Sequence, residues 1–261
     1  MFSWLLKLLK GGSSAADGGK SAKASDDCVR RDYSWHLDSV RKRKLHGELS
    51  LNFSKEEMKN LRRLNPFNAY GIDGYTYDVN IRRMFDFLLQ NDYTMQNVRI
   101  IANYIRERIE RAHYSELDMV QFALDFVQAP NIVYRIDEEC ESIDHIHEYM
   151  RFPDEVLYDK EGDCDCKSSL MAALFHAMGY DVIIMLSGNL GHAAIGLECR
   201  KGWLNEIKPS KLHRVSLMYN GKRYLFCETT GDGYKIGEIQ NTGSVKDFET
   251  IIEIPAHLVN K

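Results

Sequence analysis

EGDCDCKSSLMAALFHAMGY, running from Glu161 to Tyr180, is the stretch from which the rest of the chain is read. Asp163 suits an N-cap, because its carboxylate can accept the unpaired amide hydrogens of a first helical turn. Leu170, Leu174, Ala177 and Met178 then recur at helical spacing, and Gly179 supplies a stop. The pattern predicts a helix with Cys164 in its first turn. There the helix dipole and the partnerless amides favour a thiolate, which suits nucleophilic attack. A small thiol packed under a helix start fits the same position. The stretch alone leaves both readings open.

Working outward, the 261 residues allow one large domain, or one domain with a tail. Hydrophobic residues make up 44% and charged ones 28%, an ordinary balance for a globular chain, and the net charge of −4 gives no overall attraction to nucleic acid. Six irregularly spaced cysteines do not suggest a disulfide framework, so reduced thiols in the cytoplasm are expected. MFSWLLKLLK, residues 1–10, is too short to span a bilayer and lacks the layout of a signal peptide. It fits a short amphipathic helix lying on a membrane surface or in a partner's groove, and equally a frayed terminus. GGSSAADGGKSAKASDD follows as a flexible tether.

Tyr33, Trp35 and Leu37, then Leu45, Gly47, Leu49 and Leu51, alternate with polar residues on either side of DSVRKRK, predicting a strand pair with a basic connection at Arg41, Lys42, Arg43 and Lys44. A charged tip is an ordinary solvated feature, and no nucleic-acid partner is expected from it. Ser54 and Glu57 have capping-box spacing for a short helix ending before Pro66. Residues 79–128 are helical in character: Val98, Ile101, Ala102, Ile105 and Ile109 form one apolar face, and Ser115 caps a helix carrying Val120, Ala123, Leu124 and Val127. Residues 130–160 read as an acidic connection. Its Asp144, His145 and His147 match no standard metal-ligand spacing. DVIIML fits a buried strand, SGNLG a turn, and HAAIGLE, KRYLFCE and the segment from Tyr234 to Ile239 further strands, with 200–220 an insertion between them. Helices first, then consecutive strands joined by turns, give the class α+β with an antiparallel sheet. Three divisions result: residues 1–30 as apolar peptide and linker, 31–78 as hairpin and short helix, and 79–261 as the main domain.

A cysteine nucleophile needs a base, and the base needs a partner that fixes its tautomer. Cys164 at a helix start, His192 after a glycine turn and Glu228 at a strand end supply the three types, provided that the last two strands are neighbours. Cys164, Cys166, Cys199, Cys227 and His192 also offer soft metal ligands, but without paired C-x-x-C knuckles; no metal and no cofactor is expected. Cys227 alternates with Glu228 and should face the core.

The segments FALDFVQ, EGDCDCKSSLMAALFHAMGYDVIIML, GHAAIGLE and YLFCETTGDGYKIGEI, taken in this order, resemble the transglutaminase-like superfamily of papain-like thiol enzymes, and especially a prokaryotic group of such domains. The resemblance covers roughly half the chain, residues 115–239. It implies a papain-like core in which the nucleophile helix packs on an antiparallel sheet with helical N-terminal support. It also implies Cys164 as nucleophile, His192 as general base and Glu228 as the orienting acid, where the superfamily commonly has aspartate. In the related motif an acid usually occupies the position of Cys166. Two residues along a helix turn through about 200°, so Cys164 and Cys166 cannot share one histidine, leaving Cys166 as a packed or a resolving thiol.

The expected function is a cysteine hydrolase, of peptidase or amidase type, acting on a protein or peptide substrate through an acyl-enzyme. The alternatives are a protein-crosslinking transglutaminase and a non-catalytic interaction module that keeps the fold. The expected setting is the cytoplasm, with residues 1–10 available to a membrane periphery or a partner.

Overall fold

The computed structural model describes residues 27–38, 44–67, 77–128, 130–137, 149–207, 212–239 and 244–256. Residues 1–10, the tip residues Arg41, Lys42 and Arg43, and Asp144, His145 and His147 lie outside them. The architecture is mixed, with helices packed against an antiparallel sheet, in keeping with the α+β class. No helix among the described residues is long and apolar enough to cross a membrane.

The alternation read in the N-terminal segment forms a hairpin of β1 (Cys28–Asp38) and β2 (Lys44–Ser54). Lys44, the last residue of the basic run, is the first residue of β2. Trp35 pairs with Gly47 across the ladder, and a Cβ there would sit 2.6 Å from the indole, so glycine is what allows the large ring to lie flat across β2. The indole stacks on Phe122 at 5.0 Å, meets Phe126 edge-on at 4.9 Å and donates to Phe122 O at 3.0 Å. Thus the inward face of the hairpin and the helices share one core. α1 (Lys55–Leu64) starts as its sequence dictates, with Ser54 Oγ accepting from Glu57 N at 3.2 Å.

Then come α2 (Tyr77–Gln90), α3 (Gln96–Ala112) and α4 (Glu116–Gln128). Ser115 Oγ accepts from Asp118 N while the Asp118 carboxylate accepts from Ser115 N, a reciprocal cap on α4. β3 (Val133–Tyr134) pairs in parallel with β4 (Glu161–Gly162), and α5 (Pro153–Asp159) lies between them in the chain. β4 leads straight into α6 (Cys164–Ala177). Twelve consecutive residues of α6, Asp165 to His176, are buried, so the helix runs through the core instead of over it. Gly179 at φ +86° ends it, and the amide of Tyr180 returns to Phe175 O. Truncating a fully buried side chain such as Leu174 to alanine would cost about 2–5 kcal/mol.

The sheet beyond α6 has the order β11–β5–β6–β9–β8, every pair antiparallel. It comprises β5 (Val182–Ser187), β6 (His192–Glu198), β8 (Ser216–Tyr219), β9 (Lys222–Cys227) and β11 (Thr250–Ile254). Its unbroken apolar runs follow from burial on both faces. Val182, Ile184, Ile195, Leu197, Leu225 and Cys227 join the core that holds α6. Ile183, Met185, Ala194, Tyr224 and Phe226 form a second cluster with Ile239 and Phe248.

Several segments differ from the sequence reading. Residues 200–220 are more than an insertion: they hold α7 (Trp203–Glu206), β7 (His213–Arg214) and the sheet-edge strand β8. The Tyr234–Ile239 segment contributes only β10 (Glu238–Ile239), paired with β7. β11, at the opposite sheet edge, was not anticipated.

Candidate active site

β6 and β9 are neighbours, with Ile195 opposite Cys227, so the start of β6 and the residues after β9 meet at one end of the sheet. There Nε2 of His192 lies 3.0 Å from Oε2 of Glu228. A carboxylate only accepts, so Nε2 carries the hydrogen, and in the neutral form of the ring Nδ1 is the acceptor. The other oxygen, Oε1, accepts from the Thr230 amide at 2.9 Å and the Thr230 hydroxyl at 2.6 Å, which fixes the carboxylate plane. Burial works against the Glu228 anion, but the His192 contact and the two Thr230 bonds outweigh it and hold the carboxyl below its usual range. Gln128 Nε2 donates to Glu228 O at 2.7 Å, pinning the backbone as well.

Cys164 stands at the start of α6, half-buried, its free thiol donating to Gly191 O over 3.9 Å. The Ala193 amide reaches the same sulfur. The thiol therefore sits against the residues on either side of His192, and all three sequence-derived positions converge. The turn bearing Gly191 is held by Leu190 N donating to Ser187 Oγ at 3.2 Å and by Glu249 Oε1 accepting from Gly188 N. Phe248 lies 6.2 Å from the imidazole and 5.8 Å from Phe226, closing the side of the site toward the second cluster.

The expectation of a helix-favoured thiolate needs correction. Burial raises the Cys164 thiol well above its ordinary value, and the Asp165 and Asp163 carboxylates raise it further; the amides of Ala193 and Asp165 pull the other way and do not prevail. A first-turn position is not sufficient where two carboxylates share the turn.

Those carboxylates belong to a second cluster, on the inner face of the same turn. Asp163 caps α6, its Oδ1 accepting from Cys166 N at 3.3 Å. Burial, and then the Asp165 charge, pushes the Asp163 carboxyl up to about 10. Asp165 accepts a short bond from the Tyr77 hydroxyl at the start of α2. Cys166 is fully buried and points away from the imidazole: its sulfur donates to Tyr149 O at 3.3 Å, and the Arg151 amide and guanidinium approach it at 3.2 and 3.4 Å. Arg151 also meets Asp137 at 3.2 Å. Cys166 is thus a packed thiol facing a guanidinium, a position where an acid would also fit. Asp137, Asp163 and Cys166 have donor atoms within 4.8 Å of one another, the spacing of a cation site, and Arg151 already places a positive charge against two of them. Cys227 is buried in the core, as its alternation with Glu228 required.

Two residues beside the thiol were not singled out from sequence. Lys167, one turn into α6, is buried and donates from Nζ to Ile132 O at 3.0 Å; burial lowers its ammonium to about 8, although the Glu228 and Asp232 charges work the other way. It ties α6 to the segment leading into β3. Tyr134 in β3 pairs with Gly162, two residues before Cys164, and its phenol is pushed up to about 12 by partial burial and by the charges of Cys164, Asp163, Asp165 and Glu228. A helical lysine ordinarily reads as solvated, which hid the first, and a two-residue strand has no period to detect, which hid the second. Comparison with protein-family models, curated proteins and solved structures finds no match, so the chemistry of the site rests on its own geometry.

Proposed function

We propose that the chain is a cysteine hydrolase of peptidase or amidase type, with Cys164 as nucleophile, His192 as general base and acid, and Glu228 as the residue that orients it. The observation carrying this reading is the 3.0 Å His192–Glu228 contact with the Cys164 thiol seated between Gly191 and Ala193. The nucleophile helix packed on an antiparallel sheet supports a papain-like, transglutaminase-like core, as the sequence resemblance implied. Free thiols at Cys164, Cys166, Cys199 and Cys227 fit a reducing, cytoplasmic setting and a protein or peptide substrate.

The thiol proton moves to Nδ1 of His192 as sulfur attacks the amide carbon. The C–S bond forms, and the carbonyl electrons move onto oxygen. The Cys164 backbone amide, one of the first-turn donors without a partner inside the helix, faces that oxyanion. As the C–N bond breaks, His192 passes its proton to the leaving amine. His192 then takes a proton from water as the water oxygen attacks the thioester carbon; the C–S bond breaks, the carboxylic acid leaves, and His192 returns the proton to sulfur. A lysine amine in place of water would give transamidation with the same groups. Since burial and the Asp165 charge hold the resting thiol protonated, reaction depends on this transfer to His192 and not on a standing thiolate.

The same protonated thiol favours a second reading, a non-catalytic interaction module that keeps the fold. Cys164→Ala separates the two. For a hydrolase, removing the nucleophile lowers amide turnover by at least about 10³-fold and abolishes labelling by a thiol-reactive peptide probe. Unchanged labelling, or an adduct carried by another cysteine, refutes the assignment.

A further inference from the structure

Nine large hydrophobic side chains stand exposed among the described residues, and four of them lie on the two segments that flank Cys164. On one side are Val133, Tyr134 and Ile136, exposed to 49%, 48% and 42%; on the other is Leu190, at 54%. Apolar surface gathered beside a reactive group marks a binding site more strongly than the same residues scattered singly. Tyr134 pairs with Gly162, two residues before Cys164. Leu190 precedes Gly191, whose carbonyl accepts from the thiol.

The backbone of β3 adds an independent sign. Val133 N donates to Lys160 O at 2.8 Å and Arg135 N to Gly162 O at 3.3 Å, so both use β4 as their partner. In a parallel pair the residue between them turns its N–H and C=O to the opposite edge. For Tyr134 those two groups meet no described partner. An extended peptide recognises such an edge with its main chain and reaches the flanking pockets with alternate side chains.

We propose that Tyr134 on one side and Leu190 on the other form two apolar subsites around the thiol, so that the substrate is an extended peptide segment carrying an apolar residue beside the reacting amide. This rests on Cys164 being the nucleophile. Folded proteins rarely present an extended apolar segment at the surface, so the substrate class is unstructured or unfolded polypeptide.

The test uses the full chain and short acetylated peptides ending in a vinyl sulfone, identical except for Leu, Phe, Ser or Asp at the residue bearing the warhead. Iodoacetamide serves as the small reagent, and mass spectrometry locates the adducts. The Leu and Phe probes should label Cys164 about tenfold faster than the Ser and Asp probes, the scale of losing a few methylenes from an apolar pocket. Leu190→Ser and Tyr134→Ser should each reduce that ratio toward one. Equal rates for all four probes, with iodoacetamide still modifying Cys164, overturn the apolar subsites and leave the nucleophile standing. A preference that survives both substitutions overturns their placement. The absence of any Cys164 adduct with every reagent overturns the nucleophile and the subsites together.

Discussion

Cys164 and Cys166 are two residues apart on one helix, yet their sulfurs occupy opposite chemical worlds. The outer thiol is half-buried and rests against the His192 turn. The inner thiol is sealed, wedged between Tyr149 O and the Arg151 guanidinium. On the outer face the polar groups are partnered in a chain that ends on the imidazole: Glu228 uses one oxygen for Thr230 and the other for His192 Nε2, which leaves Nδ1 as the ring's other nitrogen. On the inner face, polar groups are crowded and dehydrated: Asp137 against the Arg151 guanidinium, and the protonated Asp163 carboxyl beside Asp165. The first turn of α6 thus holds reactive groups on one side and a buried polar network on the other. Substitutions on the two sides should fail in different ways.

Breaking the inner face should give the largest effect on stability. In Arg151→Met the Asp137 carboxylate retains its bond from the Tyr149 amide and loses the guanidinium at 3.2 Å. Removing one partner of a buried ion pair costs about 3–5 kcal/mol, because the remaining charge stays dehydrated. Urea unfolding should register that loss as a shifted midpoint at an unchanged slope. A loss below about 1 kcal/mol would mean that water reaches Asp137 and that the inner face is less dry than its burial implies.

An outer-face change should do the opposite. Glu228→Gln keeps the size and the Thr230 contacts of the side chain, but its amide can donate toward His192. The imidazole then tends to place its hydrogen on Nδ1, the nitrogen that the proposed mechanism needs as an acceptor. Loss of a correctly held tautomer lowers turnover by about 10²–10⁴-fold, while urea stability should change by less than about 1 kcal/mol. An activity loss matched by an equal loss of stability would show Glu228 to be structural first.

How much of this was legible in the sequence follows from the range of the interaction. Caps are local, so Ser54 with Glu57, Ser115 with Asp118, and Gly179 were readable in windows of a few residues. The three outer-face positions each stood at an element boundary, which made them visible; their meeting depended on β6 pairing with β9, which no local pattern states. β8 was lost because its half-exposed residues alternate weakly, although Asn220-Gly221, at φ +45° and +77°, is a strong two-residue hairpin turn and would have revealed it. The β-branched run of Thr250–Ile254 held a similar unused signal. The inner face was beyond reach, since Tyr77, Asp137, Tyr149 and Arg151 come from three segments that nothing in the sequence connects to Cys166.

The smallest expected effect is the one on the thiol across the turn, and it tests whether the two faces communicate. Asn is as good an N-cap as Asp, so Asp163→Asn keeps the helix start while removing one of the two crowded acids. In the native chain burial and the Asp165 charge raise the Asp163 carboxyl from 3.8 to about 10. The folded state therefore holds a proton that the unfolded state has released. The stability this contributes is complete below about pH 4 and declines as pH rises toward 10. Urea unfolding between pH 4.5 and 9.5 should show that decline in the native chain and a flatter profile in Asp163→Asn. Once the Asp163 carboxyl ionises, its charge also raises the Cys164 thiol from across the turn, so the high-pH inflection of iodoacetamide labelling should move to lower pH in the variant. A flattened stability profile with an unmoved labelling inflection would mean that the inner charges are screened from the sulfur; the protonated resting thiol would then be due to burial and Asp165, and the two faces of α6 would be neighbours that do not influence one another.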